Sequence, residues 1–333
     1  MFIEFNYKEE IIISYKFTIV LMKKIKQFVI LFLLFVSTTS SIASSNFSSW
    51  GYQLQNYDLD DLRLSDYDIL VLDYSKDGTD DEQFTSTEIE TIRTGKEGRK
   101  ILSYISIGEA EDYRFYWDPN WLESSPEWLD ESNPAWPGNY KVKYWIAEWQ
   151  EIIKVYLQKI LDIGFDGIYL DIIDAYEFYE NTVTNSDTLM IDFVEGISNF
   201  TRAQVSEFMI IPQNGETIVN DRYLQIVDGI AREEVYVIAT NEKRDVDETI
   251  EIEGYLDQFL DVGKIVMVVD YASSEDLIEF ATSSASAKGY LSLATDVDLD
   301  HLGPNLLTED STNFYFLGLA IIPIIAIYIN RKQ

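Results

Sequence analysis

The sequence of 333 residues contains no cysteine and one histidine, His301. The absence of cysteine excludes disulfide bonds, thiolate nucleophiles and cysteine-type zinc sites within this chain. A serine–histidine triad would depend on His301 alone, and a metal site with several histidines cannot form. Acid–base chemistry therefore falls to carboxylates, tyrosines or lysines, and we expect neither a metal nor any other cofactor.

Basic residues are also scarce. The chain has 25 lysines and arginines against 58 aspartates and glutamates, which gives a formal net charge of −33. Such a surface repels nucleic acid and anionic lipid, so neither is expected as a partner. It would accept a cationic partner, although acidic surfaces also keep many exported proteins soluble. Hydrophobic residues make up 47%, which is sufficient for a large core.

The start of the chain has the features of an export signal. A basic segment, 22–26, precedes an apolar run, 28–36, and a small-residue cleavage signature follows at 41–43. This order is typical of a signal peptide and predicts that residues 1–43 form an export segment. An uncleaved N-terminal anchor is the alternative.

The other end of the chain predicts a membrane anchor. Residues 314–330 are almost wholly apolar, and Arg331 and Lys332 follow them. A basic flank marks the cytoplasmic end of a spanning helix, so we predict that residues 314–330 form a C-terminal transmembrane anchor. A sorting tail that is removed after export is the alternative. With residues 302–313 as a linker, the main domain would lie on the extracellular face of the cell membrane.

Residues 44–301 alternate between strand-like and helix-like segments, which predicts an α/β fold with parallel strands. The strand-like runs are 50–54, 68–74, 100–106, 167–171, 208–214, 228–233, 264–270 and 289–293. Amphipathic stretches such as 145–163 and 194–207 lie between them. Eight such units in about 250 residues predict a single (β/α)8 TIM barrel. An aromatic-rich insertion, 109–144, follows the third strand and is expected to be an elaborated loop.

Catalytic groups in such barrels lie at the carboxyl ends of the strands. Acidic, amide or tyrosine side chains occupy most of these positions: Asp73 and Tyr74, Glu109 and Arg114, Asp171, Asn214, Glu233 and Glu234, and Asp270 and Tyr271. One acidic strand end is often a helix N-cap. Many acids at one mouth can place an acid of raised pKa beside an ionised carboxylate.

Glycoside hydrolysis requires a pair of this kind. The insertion adds aromatic side chains that would either stack on sugar faces or pack the insertion onto the barrel. These are Tyr113, Phe115, Tyr116, Trp117, Trp121, Trp128 and Trp136. Their spacing does not separate the two interpretations.

Five motifs together resemble glycoside hydrolase family 114, which contains endo-α-1,4-polygalactosaminidases. They are YISIGEAEDYR at 104–114, GFDGIYLD at 164–171, PQNG at 212–215, VDGIARE at 227–233 and GKIVMVVDY at 263–271. The resemblance covers residues 48–300. It is greatest to the prokaryotic branch, which is also labelled extracellular cysteinyl-tRNA-synthetase-like.

The resemblance implies a (β/α)8 barrel with catalytic carboxylates after the fourth and sixth strands. It thereby implies that Asp171 is the nucleophile and Glu233 the general acid/base, with Glu234 as the competitor for the second role. The other strand-end residues and Trp117 are expected to bind substrate, and Arg114 to pair with one of the acids. Fungal-type members carry Lys, Cys and Asn in place of Gln213, Val235 and Ile172, which leaves the sugar open.

The predicted function is therefore an extracellular glycosidase that cleaves an amino-sugar-containing polysaccharide with retention of configuration, like an endo-α-1,4-polygalactosaminidase. An inactive, glycan-binding surface protein on the same barrel is the first alternative. A carboxylate-rich site for a divalent metal is the second, although the chain lacks a D-x-D-x-D-G calcium loop.

Overall fold

The computed structural model describes residues 47–303. The predicted export segment (1–43), the predicted anchor (314–330) and most of the predicted linker (302–313) lie outside the described residues. No helix within residues 47–303 combines the length and the apolar character that a membrane crossing requires.

Eight parallel strands form the centre of the fold. They are β1 (Trp50–Tyr52), β2 (Ile69–Leu72), β3 (Lys100–Ser106), β7 (Gly167–Asp171), β8 (Met209–Pro212), β9 (Gly229–Glu233), β12 (Ile265–Tyr271) and β13 (Leu291–Thr295). Each lies within or beside one of the eight predicted runs. Their sequences are rich in Ile, Val and Leu because both faces of such strands are covered.

The parallel strands follow one another in chain order. The first five pair as β1-β2-β3-β7-β8 and the last three as β9-β12-β13. A parallel bridge between Gln213 and Ala231 joins the two sets. At the opposite seam, the indole Nε1 of Trp50 donates a hydrogen bond to the carbonyl oxygen of Leu291 at 3.0 Å. This is the strand order predicted for a (β/α)8 barrel.

The helices pack around the strands. They are α1 (Leu59–Leu64), α2 (Ser86–Arg93), α3 (Ala147–Ile163), α4 (Ala175–Tyr179), α5 (Ser186–Arg202), α6 (Asp221–Ile226), α7 (Val246–Asp261) and α8 (Glu275–Lys288). The start and end signals are local: a Thr85–Glu88 capping box opens α2, and Gly164, at φ 96°, ends α3. The predicted helix 194–207 was placed too late, because α5 already begins at Ser186.

The insertion after β3 is more regular than the predicted loop. It contains β4 (Glu109–Glu111), β5 (Leu129–Ser132) and β6 (Asn139–Val142), which form an antiparallel sheet in the order β4-β6-β5. A 3-10 turn, Pro119–Leu122, lies between β4 and β5. A second small hairpin, β10 (Val237–Ile238) with β11 (Glu242–Lys243), follows β9.

The core has two layers. Side chains that point inwards from the strands form an inner cluster, in which the rings of Trp50, Tyr52 and Tyr169 lie 5.0–6.2 Å apart. Side chains that point outwards pack against the helices and form a larger cluster. Because successive strand residues face opposite sides, this division decides which strand-end residues reach the site.

Candidate active site

A cavity of about 850 Å³ opens at the carboxyl ends of the strands. Eight of the predicted site residues line it: Asp73, Glu109, Arg114, Asp171, Asn214, Glu233, Glu234 and Tyr271. They come from the ends of six different parallel strands or from the segments that directly follow them. The structure thus brings most of the predicted residues together at one mouth.

Asp171 and Glu233 are each held by hydrogen bonds. The Tyr104 hydroxyl donates to Oδ2 of Asp171 at 2.7 Å. Glu233 accepts from Tyr271 and Asn214: the Tyr271 hydroxyl donates to its Oε1, and the Asn214 amide Nδ2 donates to its Oε2 at 3.2 Å. Both carboxyl groups are therefore fixed in orientation before any ligand binds.

Asp171 is electrostatically coupled to Glu233. Burial raises the pKa of the Asp171 carboxyl to about 8, and the negative charge of Glu233 adds to this increase. The hydrogen bond from Tyr104 acts in the opposite direction because it stabilises the ionised form. Near neutral pH, the Asp171 carboxyl consequently carries a proton beside the carboxyl group of Glu233.

The Asn214 amide is itself positioned by a partly buried ion pair. Arg232 donates from Nε to Oε1 of Glu216 at 2.9 Å and from Nη1 to the side-chain oxygen of Asn214 at 3.1 Å. The backbone N–H of Glu233 also donates to that oxygen, at 3.2 Å. With its oxygen engaged in this way, Asn214 must present its NH2 group to the Glu233 carboxylate.

Glu234 lines the cavity but has other partners. Its backbone has φ 55°, in the left-handed region, so the chain turns sharply after Glu233. The Glu234 carboxylate accepts from the backbone N–H of Ala239 at 2.6 Å and lies 3.6 Å from Nη2 of Arg244. It has no hydrogen bond to the partners that hold Asp171 and Glu233.

Arg114 pairs with acids of the cavity, as predicted, but these acids are Asp73 and Glu111 and not Asp171 or Glu233. Its guanidinium contacts both carboxylate oxygens of Asp73, at 2.9 and 2.7 Å, and Oε2 of Glu111 at 2.7 Å. All three side chains are nearly fully buried. Burial raises the pKa of Asp73, and Arg114 opposes the increase. This network forms one wall of the cavity.

Glu109 lies on the insertion side of the cavity, where two amides hold it. Nδ2 of Asn133 donates to one carboxylate oxygen at 2.8 Å, and Nδ2 of Asn139 donates to the other at 3.1 Å. Burial raises the pKa of Glu109, which these two hydrogen bonds counteract. Glu109 thus ties the start of β4 to residues 133–139 of the insertion.

Three predicted substrate-binding residues do not line the cavity. Tyr74 is buried outside the strands, with its ring 4.8 Å from that of Tyr156, because it alternates with the inward-facing Asp73. Asp270 alternates in the same way with Tyr271 and accepts the backbone N–H groups of residues 236 and 237 at 2.7 and 2.8 Å. Trp117 stacks on Tyr140, with ring centroids 4.7 Å apart.

The aromatic side chains of the insertion divide between the two interpretations of the sequence. Tyr113 and Trp136, with exposed fractions of 45% and 47%, line the cavity. The other five, Phe115, Tyr116, Trp117, Trp121 and Trp128, pack against the outer core or within it. Two of the seven are therefore placed where a ligand could stack on them.

The chain is similar to known glycoside hydrolases in sequence and in fold. The family model for glycoside-hydrolase family GH114 matches residues 35–309, which is most of the chain. The chain belongs to family GH114. An uncharacterized protein of Methanocaldococcus jannaschii is a relative with 41% identity over 272 residues, which cover 76% of this chain and 77% of that protein.

Two solved structures show the same fold as this GH114 chain. The glycoside hydrolase domain of PelA from Pseudomonas aeruginosa matches with a TM-score of 0.62 at 16% identity, over 78% of this chain and 98% of that one. Aspergillus fumigatus Ega3 in complex with galactosamine matches with a TM-score of 0.60 at 18% identity, over 79% and 96%. The chain is thus an α/β protein with parallel strands that matches TIM-barrel glycoside hydrolases.

Several residues of this GH114 site were not among the predicted ones. Tyr104 and Tyr52 lie within strands, where a tyrosine reads as a core residue, although the Tyr52 hydroxyl donates to the side-chain oxygen of Gln213 at 3.4 Å. Glu111 and Asp174 also line the cavity. The available signal was the inward-facing register: Tyr104 lies two residues before the end of β3, on the same face as Ser106.

A separate acidic group lies in the segment after β13. Asp296, Asp300 and His301 each offer one ligand atom, and these atoms lie within 4.8 Å of one another. The imidazole Nδ1 of His301 is 2.9 Å from Oδ1 of Asp300 and 3.5 Å from Oδ2 of Asp296. These contacts bind the segment together at the rim of the fold.

Proposed function

We propose that this protein hydrolyses an amino-sugar-containing polysaccharide, like an endo-α-1,4-polygalactosaminidase, with Asp171 and Glu233 as the two working carboxyl groups. The coupling between these groups carries the proposal: burial raises the pKa of Asp171, and the charge of Glu233 adds to the increase, within one open, polar cavity. A pair of carboxyl groups, of which one keeps a proton, is what glycosidic bond cleavage requires.

The reaction would follow a double displacement. A carboxylate oxygen of Asp171 forms a bond to the anomeric carbon while the glycosidic C–O bond breaks, and Glu233 gives its proton to the departing oxygen. Glu233 then removes a proton from a water molecule, whose oxygen bonds to the anomeric carbon and displaces Asp171. The sugar leaves with its original anomeric configuration, and each carboxyl group returns to its starting state.

This assignment requires the proton of the pair to be on Glu233 when substrate is bound. Asp171 holds it in the unliganded site, because its pKa is raised to about 8. The hydrogen bond from Tyr104 favours ionised Asp171, and a positively charged substrate would do the same. Exchange of the two roles, with Asp171 as the acid and Glu233 as the nucleophile, is the specific alternative.

An acidic cavity supports a basic sugar as the substrate. Nine carboxylate side chains line it: Asp73, Asp77, Glu109, Glu111, Asp171, Asp174, Glu233, Glu234 and Asp298. Within residues 47–303, Lys76 and Arg114 are the only lysine and arginine in the lining, and Arg114 is already paired with two of the acids. Such a surplus of negative charge attracts a polymer with free amino groups. Galactosamine is the ligand of the similar Ega3 structure.

We also propose that the enzyme works outside the cell. The support is the signal-peptide pattern of residues 1–43 and the apolar segment 314–330 with its basic flank. The hydrolase domain, 44–301, would then be held on the extracellular face of the membrane by a linker, 302–313. Surface labelling of intact cells, with and without protease treatment, tests this location.

The test of the reaction is product release from a panel of polysaccharides that includes galactosaminogalactan. We expect oligosaccharides from the wild-type protein and a loss of about a hundredfold to ten-thousandfold in kcat for Asp171→Asn and for Glu233→Gln. Glu234→Gln is the matched control and should lose less than about tenfold, because Arg244 and a backbone N–H hold Glu234.

Three observations would count against the proposal. Retained polymer binding without any products would instead support a glycan-binding protein on this barrel. Covalent trapping of Glu233 rather than Asp171 by a fluorosugar would exchange the two roles. Inversion of the anomeric configuration, with carboxyl groups about 6.5–9.5 Å apart rather than about 5–5.5 Å, would exclude the double displacement.

A further inference from the structure

Asp174 is an acidic residue at a helix start that does not cap the helix. It directly precedes α4, where aspartate normally accepts hydrogen bonds from the first N–H groups. In this chain the Asp174 side chain makes no capping hydrogen bond. Asp174 instead lines the cavity, three residues after Asp171.

Nearly every other acid around the cavity has a partner. Among the described residues, three of these acids pair with arginines: Asp73 and Glu111 with Arg114, and Glu234 with Arg244. Four accept hydrogen bonds from uncharged side chains: Glu109 from two asparagines, Asp171 from Tyr104, Glu233 from Tyr271 and Asn214, and Asp77 from Thr79. Asp298 has no side-chain partner but is exposed to solvent. Asp174, which is partly buried, has no hydrogen bond or ion pair with another side chain of residues 47–303, and its own backbone N–H is its hydrogen-bond donor.

The surroundings of Asp174 leave its charge uncompensated. Burial and the negative charges of Glu177 and Glu233 raise the pKa of Asp174 to about 6, and the positive charge of Arg232 opposes this increase. Arg232 is already engaged with Glu216 and Asn214. An ionised carboxylate that is removed from water without a partner is unfavourable, so a cation that binds there gains free energy.

The backbone position places Asp174 beside the reacting groups. Asp174 follows β7, whose last residue is Asp171, and its backbone nitrogen lies 3.4 Å from where a side chain on Gly215 would begin. Gly215 follows Asn214, the residue that donates to Glu233. Asp174 therefore lies at the part of the cavity where the segments after β7 and β8 meet.

We propose that Asp174 binds the protonated amino group of a sugar unit next to the cleaved bond and thereby selects the free amine over its N-acetyl form. An ammonium group offers three N–H donors and cancels the like-charge repulsion between Asp174 and Glu233. An acetamido group has one N–H, no charge and greater bulk, so it leaves the carboxylate unpaired. This inference rests on the proposed function for the identity of the sugar.

Binding, measured separately from cleavage, tests the inference. We would measure by calorimetry the affinity of an α-1,4-linked galactosamine oligosaccharide and of its chemically N-acetylated form, both in the Glu233→Gln background. We expect Asp174→Asn to weaken binding of the amine form by about tenfold to a hundredfold and to change that of the acetylated form by less than threefold. Asp174→Glu, which keeps the charge, should recover part of the affinity.

The matched control is Asp81→Asn, which removes the same charge from an exposed residue outside the cavity. It should leave both affinities unchanged. Equal loss for both ligands in Asp174→Asn, no loss, or no binding of the amine form by the parent protein would each overturn the proposal. Asp174-dependent binding of the amine form by a wild-type protein that releases no products would uphold it and refute the proposed hydrolysis.

Discussion

At the scale of single residues, the site depends on backbone turns with left-handed residues, of which one is a β-branched residue that disfavours this conformation. Ile172 directly follows β7, Glu234 directly follows β9, and Asn214 lies two residues after β8. All three have a positive φ of 55–60°. Asparagine tolerates this region, whereas a β-branched side chain is a strong exception there. The turn at Ile172 directs the Asp171 carboxyl to the cavity, so local strain accompanies function.

Replacement of Ile172 by asparagine should relieve this strain. The Ile172 side chain lines the cavity and is only partly buried, so little apolar contact is lost. We expect Ile172→Asn to raise the free energy of unfolding by about 1 kcal/mol and to leave kcat within about threefold. Urea denaturation measures the first quantity and the release of reducing sugar the second.

Ile173→Asn is the control for this change. Ile173 is fully buried, so the same substitution one residue later should cost about 3 kcal/mol or more. A loss of stability in Ile172→Asn would show that contacts of the isoleucine outweigh the backbone strain.

The sequence predicted the members of the site whose position follows from strand ends. Asp171 and Glu233 end runs of apolar residues, and the alternation along each run directs them inwards. Tyr74 and Asp270 were wrongly expected at the cavity because strand ends were considered without that alternation. Tyr104 was missed because nothing in a strand sequence separates a tyrosine that packs from one that also donates a hydrogen bond.

At the scale of elements, the eight strands could be predicted because buried parallel strands appear as short, continuous apolar runs. The insertion could not, because its strands are short, mostly polar and paired only with one another. Their order, β4-β6-β5, depends on contacts between segments that are distant in sequence, such as Glu109 with Asn139. The pattern of polar and apolar residues along the sequence does not predict such contacts.

Substitutions should distinguish the aromatic side chains of the insertion that line the cavity from those that pack in the core. Trp136 lines the cavity, and stacking on a sugar ring is worth about 1 kcal/mol. We expect Trp136→Ala to raise the KM for polymer by roughly tenfold, with unfolding unchanged within about 1 kcal/mol. Steady-state kinetics and thermal denaturation of the same preparation measure both effects.

Trp128→Ala is the structural counterpart. Trp128 is 3% exposed, and its ring lies 4.9 Å from that of Trp121 and 5.0 Å from that of Trp149. The cavity left by its removal should cost about 3–5 kcal/mol of stability. Equal KM values for wild type and Trp136→Ala would place the polymer elsewhere on the cavity wall.

At the scale of the whole molecule, acidity links binding to stability. The formal net charge of −33 is compatible with a cationic partner, and the cavity concentrates carboxylates at one mouth. Several of these acids, held in a partly desolvated site, have raised pKa values. Composition predicted an acidic surface, but only the fold shows which acids lose contact with water.

The raised pKa values predict an unusual dependence of stability on pH. Asp171 has a pKa of about 8 in the folded protein, and Asp174 and Asp270 have values of about 6. Between the unfolded value of about 3.9 and these values, the folded state binds more protons than the unfolded state. The contribution of these three groups to the free energy of unfolding is therefore complete below about pH 4 and decreases as the pH rises.

Other carboxylates limit stability on the acid side. Asp68, Glu88 and Asp257 have lowered pKa values because lysines and hydroxyl groups hold their charged forms, so their contribution is lost in strong acid. We expect the melting temperature to be highest near about pH 5 and to fall by several degrees by about pH 8, as differential scanning calorimetry at constant ionic strength would show.

The variant Asp171→Asn distinguishes the contribution of Asp171 to the pH dependence of stability from that of all other titratable groups. Between about pH 6 and pH 8, Asp171 is the group that still releases its proton, at up to about 1.4 kcal/mol per pH unit. The variant should be more stable than wild type at pH 8, and its melting temperature should change little across this window, even though activity is lost. A melting temperature that rises from pH 5 to pH 8, or an unchanged slope in Asp171→Asn, would mean that Asp171 is ionised in the free enzyme.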